Sequence, residues 1–222
     1  MDIFHLFYGF NVNYKKINYL FNIITDYESI QLSFTPHIST LSNDFSITEK
    51  RGKNIAYVRQ KMLRLKEKID VYEDTSKSNK MYTIQTDQWL DFSATYGFRN
   101  QDNESIGKIS RKGWSSLWRA RYHVINKENQ DHFVISEGNA WVKVMDSFFG
   151  EIPILGIFTG YFFNPSYNIT STNGQIAAVL RKQPSFWGRK FTLDKLEELD
   201  INEEEILLLG CMMMILLERR RG

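Results

Sequence analysis

The C-terminal part of the sequence contains a helix that has no polar face. Every residue in 206–217 is apolar or glycine, with glutamates at 203–205 before it and arginines at 219–221 after it. These charges oppose the helix dipole at each end, and Asp200 or Asn202 can cap the N-terminus. A helix without a polar face has to be surrounded on all sides.

This helix can be surrounded either by a lipid bilayer or by the rest of the protein, and its length decides between the two. Its twelve apolar residues rise only about 18 Å, whereas a bilayer core is about 30 Å thick. The segment is therefore predicted to be the core of the protein itself. Cys211 and Met212 to Met214 are then packing residues, since methionine runs fill gaps more often than they bind ligands. A thiol in that setting is also a poor nucleophile.

Short alternating segments that reverse at polar turns precede this helix. The turns are rich in Gly, Asn, Asp and Ser, as in β-hairpins. The five segments are residues 45–61, 69–85, 94–112, 121–136 and 167–182. With a further strand at Lys190 to Leu193, the chain has about ten to twelve antiparallel strands, a number that closes into a barrel or folds into a sandwich.

Two segments allow a helical interpretation. Val58, Met62, Leu65 and Ile69 fit a helical stripe, although the neighbouring repeats favour a hairpin there. In residues 138–160, apolar side chains at spacings of three and four predict one helix before Gly150.

The fold expected from these patterns is mainly β. We expect a closed antiparallel barrel of about twelve strands around the buried C-terminal helix. Residues 1–40 are assigned to a lead-in of uncertain structure, and residues 41–222 to the barrel domain.

Composition limits the function classes. The 28 Lys and Arg against 26 Asp and Glu give a net charge of +2, which is too small for total charge to drive nucleic-acid binding. One cysteine cannot form an intramolecular disulfide, and the N-terminus lacks the features of a signal peptide. We expect a cytoplasmic protein with a peripheral position at a membrane.

The small net charge conceals strong local charge. Residues 50–68 carry eight basic residues against Glu67, while 105–121 and 181–190 carry five and four basic residues without an acid. Residues 194–205 carry seven acids against Lys195. Basic hairpin ends gathered on one rim would bind anionic lipid headgroups. The candidate ligand-binding residues are Lys61, Arg64, Lys66, Lys68, Arg111, Lys112, Arg181 and Lys182.

Tryptophans accompany these basic segments. Trp114, Trp118 and Trp187 suit a membrane interface, or alternatively they seal one end of the barrel. The basic residues have an alternative role as well, since Lys and Arg on solvent-facing positions protect strands from edge-to-edge pairing.

Signatures of catalysis are missing from the sequence. It contains no GxxxxGK[ST], GxSxG or HExxH motif. His123 and His132 flank one turn but lack a third ligand for a metal site. We expect no catalytic residue, no metal and no cofactor, and therefore a protein that is not an enzyme.

Several strand ends resemble the LURP-one-related proteins. These are residues 57–61 with 68–72, residues 106–112 and residues 176–182, followed by the closing apolar helix. The resemblance covers residues 45–220. It places the chain with phospholipid scramblases and Tubby C-terminal domains, and it implies a twelve-stranded barrel around a central helix.

This resemblance implies a function at membranes. Tubby domains bind phosphoinositide headgroups through basic residues, and scramblases act on phospholipids. Scramblases have an acidic loop at this place that is proposed to bind calcium. Residues 194–205 do not fit a twelve-residue calcium loop, because Leu196 replaces a ligand and Leu199 replaces the turn glycine. A helix cap with an acidic connector is therefore preferred. The scramblase lipidation segment is also missing.

The leading hypothesis is a non-enzymatic domain that binds anionic lipid headgroups or a membrane surface through its basic, Trp-containing turns. The alternative is a protein or nucleic-acid interaction scaffold, and phospholipid scrambling ranks below both.

Overall fold

Twelve strands and one helix make up the described part of the molecule. The computed structural model describes residues 31–37, 44–49, 51–60, 68–86, 95–111, 121–138, 165–184 and 190–220. The strands are β1 (Gln31–Pro36), β2 (Phe45–Glu49), β3 (Asn54–Gln60), β4 (Lys68–Tyr72), β5 (Lys80–Gln85), β6 (Thr95–Arg99), β7 (Ser105–Arg111), β8 (Arg121–Asn126), β9 (Asp131–Glu137), β10 (Ser166–Ser171), β11 (Ile176–Lys182) and β12 (Phe191–Lys195). The helix, α1, is Ile201–Arg220.

The strands form one closed antiparallel barrel. Each strand pairs with its neighbours in the chain, and β1 pairs with β12 to close the circle. This confirms the predicted barrel and its five hairpins. It also confirms that Val58 belongs to a strand, paired with Phe45, rather than to a helix. The strand predicted at Lys190 to Leu193 is β12.

The up-and-down order gives the barrel two different ends. The β2–β3, β4–β5, β6–β7, β8–β9 and β10–β11 turns lie at one end, which we call the turn end. The strand ends that flank the β1–β2, β3–β4, β5–β6, β7–β8, β9–β10 and β11–β12 connections lie at the opposite end, which we call the loop end.

A residue with positive φ reverses the chain in each of the five turns. Glycine and asparagine, which adopt this conformation most easily, occupy four of these positions. The residues are Gly52, Lys77, Asn103, Asn129 and Gly174, with φ between 60° and 87°. The turn of Lys77 has a separate support, because the Asp74 carboxylate accepts a hydrogen bond from the Ser76 amide at 2.8 Å.

The helix fills the barrel. Interior strand residues such as Ile47, Ile69 and Ile135 are fully buried, and on the helix the run from Cys211 to Leu216 is buried as well. Gly210 marks a close approach, because a Cβ there would lie 2.7 Å from Cγ2 of Val124 on β8. The sequence prediction that the strands enclose the apolar helix is therefore confirmed.

Strand β1 lies within residues 1–40, the segment that the sequence pattern assigns to the lead-in. Its Leu32 and Phe34 face the interior and are buried, and they pair with Leu193 and Phe191 of β12. The barrel thus includes residues 31–36. The rest of the lead-in before residue 31 and the helix predicted before Gly150 lie outside the described residues.

Consecutive glutamates fix the N-terminal turn of α1 to three sides of the barrel. His132 on β9 donates through Nε2 to Oε1 of Glu203 at 2.8 Å. Lys195 on β12 pairs with Glu204, and the hydroxyl of Tyr82 on β5 donates to Glu205. Burial raises the pKa of Glu204 although the Lys195 ammonium opposes the shift.

Asp200 is the N-cap of the helix. Its Oδ1 accepts hydrogen bonds from the backbone amides of Asn202 at 2.8 Å and Glu203 at 2.9 Å. In return, Oε2 of Glu203 accepts from the Asp200 amide at 2.8 Å, which completes a capping box. The predicted cap is confirmed, and of the two candidates it is Asp200 that fills the position.

The opposite end of α1 reaches the loop end of the barrel. Near it, Glu218 accepts hydrogen bonds from Tyr122 at 2.7 Å and Tyr167 at 3.3 Å. These tyrosines lie at the loop-end starts of β8 and β10. Burial and the Glu218 charge raise the pKa of Tyr167. No helix within the described ranges has the length and hydrophobicity needed to span a bilayer.

Candidate functional site

The loop end collects the predicted basic residues that the structure describes. Lys68 is the first residue of β4, Arg111 is the last of β7, and Arg181 and Lys182 end β11. All four positions are at the loop end because the strands alternate in direction. The other candidates lie outside the described residues; they are Lys61, Arg64, Lys66, Lys112, Trp114, Trp118 and Trp187.

Two of the four basic residues face outward. Lys68 pairs with Gln85 across β4 and β5, one residue away from the interior pair Ile69 and Ile84. Arg181 also lies outside the barrel, where it forms an ion pair with Asp194 of β12. Half of the side chain of Arg181 remains exposed, at 48%, so a surface ligand can still reach this guanidinium.

The other two basic residues face inward. Arg111 pairs with the fully buried Tyr122, and its guanidinium carbon is 6.0 Å from the centre of that ring. Lys182 pairs with Phe191, which is also buried. Residues directly opposite each other on antiparallel strands share a face. Arg111 and Lys182 therefore belong to the mouth of the barrel and not to its outer wall.

These inward cations are part of a polar layer around the C-terminal turn of α1. Glu137 is buried opposite Tyr167, and its charge contributes to the raised pKa of that tyrosine. The layer thus combines two cations, Arg111 and Lys182, with two carboxylates, Glu137 and Glu218. Buried Gln60 and Thr86 lie at the same end of β3 and β5.

The carboxylates of this layer were not among the candidates that the sequence patterns indicated. A signal for them was present, because the side chains of a strand alternate between two faces. Glu137 lies two residues after Ile135, just as Arg111 follows Ile109 and Lys182 follows Leu180. Each of these three charged residues extends an interior-facing row by one position.

The acidic segment at the turn end is not arranged as a calcium loop. Asp194 pairs with Arg181, Asp200 caps the helix, and Glu205 accepts from Tyr82. Within the described ranges, no group of three His, Cys, Asp or Glu side chains is arranged to hold a metal ion.

His123, His132 and Cys211 are held in place by contacts within the barrel. His123 bonds through Nδ1 to Asp131 at 3.0 Å, while His132 bonds to Glu203 on the helix. Cys211 is fully buried, and this burial raises the pKa of its thiol to about 12. The thiol is therefore held in its protonated, unreactive form at neutral pH.

One family of known proteins matches most of the chain. The sequence profile of the LURP-one-related family matches residues 30–215. The chain belongs to the LURP-one-related family. No match was found among curated proteins or among solved structures. The LURP-one-related region begins one residue before β1 and ends within α1, so it spans the complete strand order of the barrel.

Proposed function

We propose that this LURP-one-related protein is a non-enzymatic domain that binds anionic lipid headgroups at a membrane surface through the loop end of its barrel. The observation that carries the proposal is the placement of Lys68, Arg111, Arg181 and Lys182 at that one end. In the sequence, the remaining candidate basic residues and the three tryptophans fall between strands whose described ends lie at the same rim.

Electrostatics supports this orientation. A basic residue near an anionic leaflet contributes about 1 kcal/mol of attraction. The outward side chains of Lys68 and Arg181 flank the rim, and tryptophan indoles favour the headgroup region. In this arrangement the barrel stands on the membrane by its loop end, as a peripheral protein on the cytoplasmic face.

The experiment is vesicle co-sedimentation with phosphatidylserine, phosphoinositide and purely zwitterionic vesicles. We expect binding to the anionic vesicles alone, and a decrease in binding when salt is raised from about 50 to about 300 mM. Absence of binding to every vesicle would overturn the proposal. Salt-sensitive binding to DNA or RNA without a lipid preference would instead favour a nucleic-acid scaffold.

A charge-matched pair of variants localises the membrane-binding end. Lys66→Gln with Lys68→Gln removes the charge at the start of β4 and the one two residues before it in the sequence, and it is expected to weaken vesicle binding by about 2 kcal/mol, or about 30-fold. The control, Arg51→Gln with Lys127→Gln, removes two exposed charges from the turn end and is expected to bind normally. Equal losses in the two variants would contradict the proposed orientation.

A further inference from the structure

Three cations occupy equivalent positions on three strands of the barrel. Lys68 begins β4, Arg121 begins β8 and Lys190 directly precedes β12. The residue that follows each cation faces inward and is almost fully buried; these residues are Ile69, Tyr122 and Phe191. Neighbouring residues of a strand face opposite sides of the sheet. The three cations therefore face outward, and all three lie at the loop end.

Backbone pairing holds each of these positions. Lys68 and Arg121 pair with residues of β5 and β9. The carbonyl of Lys190 accepts a hydrogen bond of 2.8 Å from the amide of Gln183, just beyond the end of β11. Arg121 and Lys190 are exposed, and Lys68 is partly exposed. The three charges are thus attached to the sheet itself and reach solvent.

The three strands are evenly spaced around the barrel. Strands β4, β8 and β12 are four strands apart in a closed ring of twelve, so the cations divide the rim into thirds. The even-numbered strands between them start without a cation, since the corresponding residues are Asp44, Thr95 and Ser166. A triangle of positive charge therefore surrounds the barrel axis at the loop end.

The helix brings further positive charge to the centre of this triangle. Helix α1 enters the barrel at the turn end, and near its other end Glu218 contacts Tyr122 and Tyr167 at the loop end. Arg219 and Arg220, the last two residues of α1, follow Glu218 directly. These arginines oppose the helix dipole. Because α1 fills the barrel, its end also places them on the axis, between the three outer cations.

We propose that Lys68, Arg121 and Lys190 form a three-point contact with an anionic lipid bilayer around Arg219 and Arg220, so that the barrel axis stands perpendicular to the membrane plane. Charges on one side of the rim would tilt the barrel toward that side, whereas three evenly spaced charges attract the whole rim. This inference rests on the proposed function. It adds the orientation of the bound barrel and the contact residues outside the candidate set, which are Arg121, Lys190, Arg219 and Arg220.

Charge removal tests the contacts separately. Lys68→Gln, Arg121→Gln and Lys190→Gln are each expected to weaken binding to phosphatidylserine vesicles about fivefold. Arg219→Gln with Arg220→Gln is expected to weaken it about 30-fold, whereas the same two positions changed to lysine keep the charge and should bind normally. Lys127→Gln, exposed at the turn end, is the matched control and is expected to bind like the wild type. Circular dichroism melting verifies that each variant is folded.

A fluorescent label tests the upright orientation. Thr95→Cys and Ser166→Cys place a thiol at the start of β6 or β10, at two different parts of the rim, and Asn173→Cys places one at the turn end. Cys211 is buried, so an environment-sensitive dye reacts with the introduced thiol. On addition of phosphatidylserine vesicles we expect equal rises in emission at 95 and 166 and no change at 173.

The outcomes separate this inference from the proposed function. Wild-type protein that binds the vesicles, with undiminished binding in all three single variants, would overturn the three-point contact and leave the proposed function standing. A loss confined to one variant, or a rise in emission at only one rim position, would overturn it as well, because the barrel would then be tilted. Wild-type protein that binds no anionic vesicle would overturn both.

Discussion

The carboxylate of Glu218 accepts a hydrogen bond of 2.7 Å from the hydroxyl of Tyr122. The two residues are 96 positions apart in the sequence and join the last turns of α1 to β8. The same carboxylate also accepts from Tyr167 on β10. The loop end of the helix is therefore fixed to two separate strands by one side chain.

Replacing Glu218 by alanine is expected to destabilise the protein by about 2–4 kcal/mol, because two buried hydroxyls lose their acceptor. Glu218→Gln keeps one acceptor oxygen and is expected to cost less. Urea unfolding at pH 7 measures both values. Glu198→Ala, an exposed change at the other end, is the control, and a loss in Glu218→Ala no larger than in this control would contradict the role assigned to Glu218.

Gly210→Ala tests the contact between α1 and β8. Alanine gains about 1 kcal/mol of helix propensity over glycine, but the new Cβ would lie 2.7 Å from Cγ2 of Val124. Overpacking a core costs about 1–3 kcal/mol, so we expect a net loss of about 1 kcal/mol in urea unfolding. The double variant Gly210→Ala with Val124→Ala removes the clash, so its loss in unfolding free energy is expected to be smaller than the sum of the losses in the two single variants. A loss equal to that sum would show that the contact is unimportant.

Asp200→Ala is expected to cost about 1 kcal/mol, the usual value of an N-cap, because two backbone amides lose their acceptor. Asn202→Ala is the matched control, since Asn202 takes part in the cap through its backbone amide only. Thermal unfolding followed by circular dichroism compares them. Equal effects would mean that the assignment of the cap is wrong.

The buried thiol of Cys211 is expected to make the stability of the folded protein fall at alkaline pH. Burial raises its pKa from 9.0 to about 12, so above pH 9 the unfolded thiol loses its proton while the folded thiol keeps it. The unfolded state then binds fewer protons, and stability falls as pH rises, by at most about 1.4 kcal/mol per pH unit from this group. Urea unfolding between pH 8 and 11 measures this slope against Cys211→Ala, which is expected to show a shallower decline.

A thiol reagent provides a second readout of the same burial. At pH 8 the folded protein is expected to leave Cys211 unmodified, and modification is expected after unfolding in urea. Rapid labelling of the folded protein would contradict a closed interior at this position.

Local patterns were sufficient to predict most of the fold. The hairpins were predictable because alternation and turn residues act between neighbours in the chain, and α1 was predictable because residues 206–217 have no polar face. Strand β1 also alternates at Leu32 and Phe34, but its partner Phe191 is more than 150 residues away. Strand β1 also pairs with the neighbouring β2, but two alternating apolar residues are too short a pattern to predict a strand, and no local turn signal connects β1 with β12.

For the candidate residues that the structure describes, the positions at strand ends were predictable, but the direction of each side chain was not. Hairpin ends indicated where Arg181 and Lys182 lie, whereas the outward and inward faces follow from strand register. The acidic run was predicted to be a solvated connector after its cap. Instead, Glu203, Glu204 and Glu205 contact three different strands, because a helix that enters a barrel has wall on every side.

The order of elements along the chain has a consequence for how the protein is synthesised. Strands β1 to β12 leave the ribosome before α1, the segment that fills their interior. Until α1 emerges, the inward rows of Ile47, Ile69 and Ile135 have no helix to cover them. The closing β1–β12 pair also joins distant parts of the chain, which slows folding. The nascent chain therefore passes through a stage with exposed apolar strands, to which chaperones can bind.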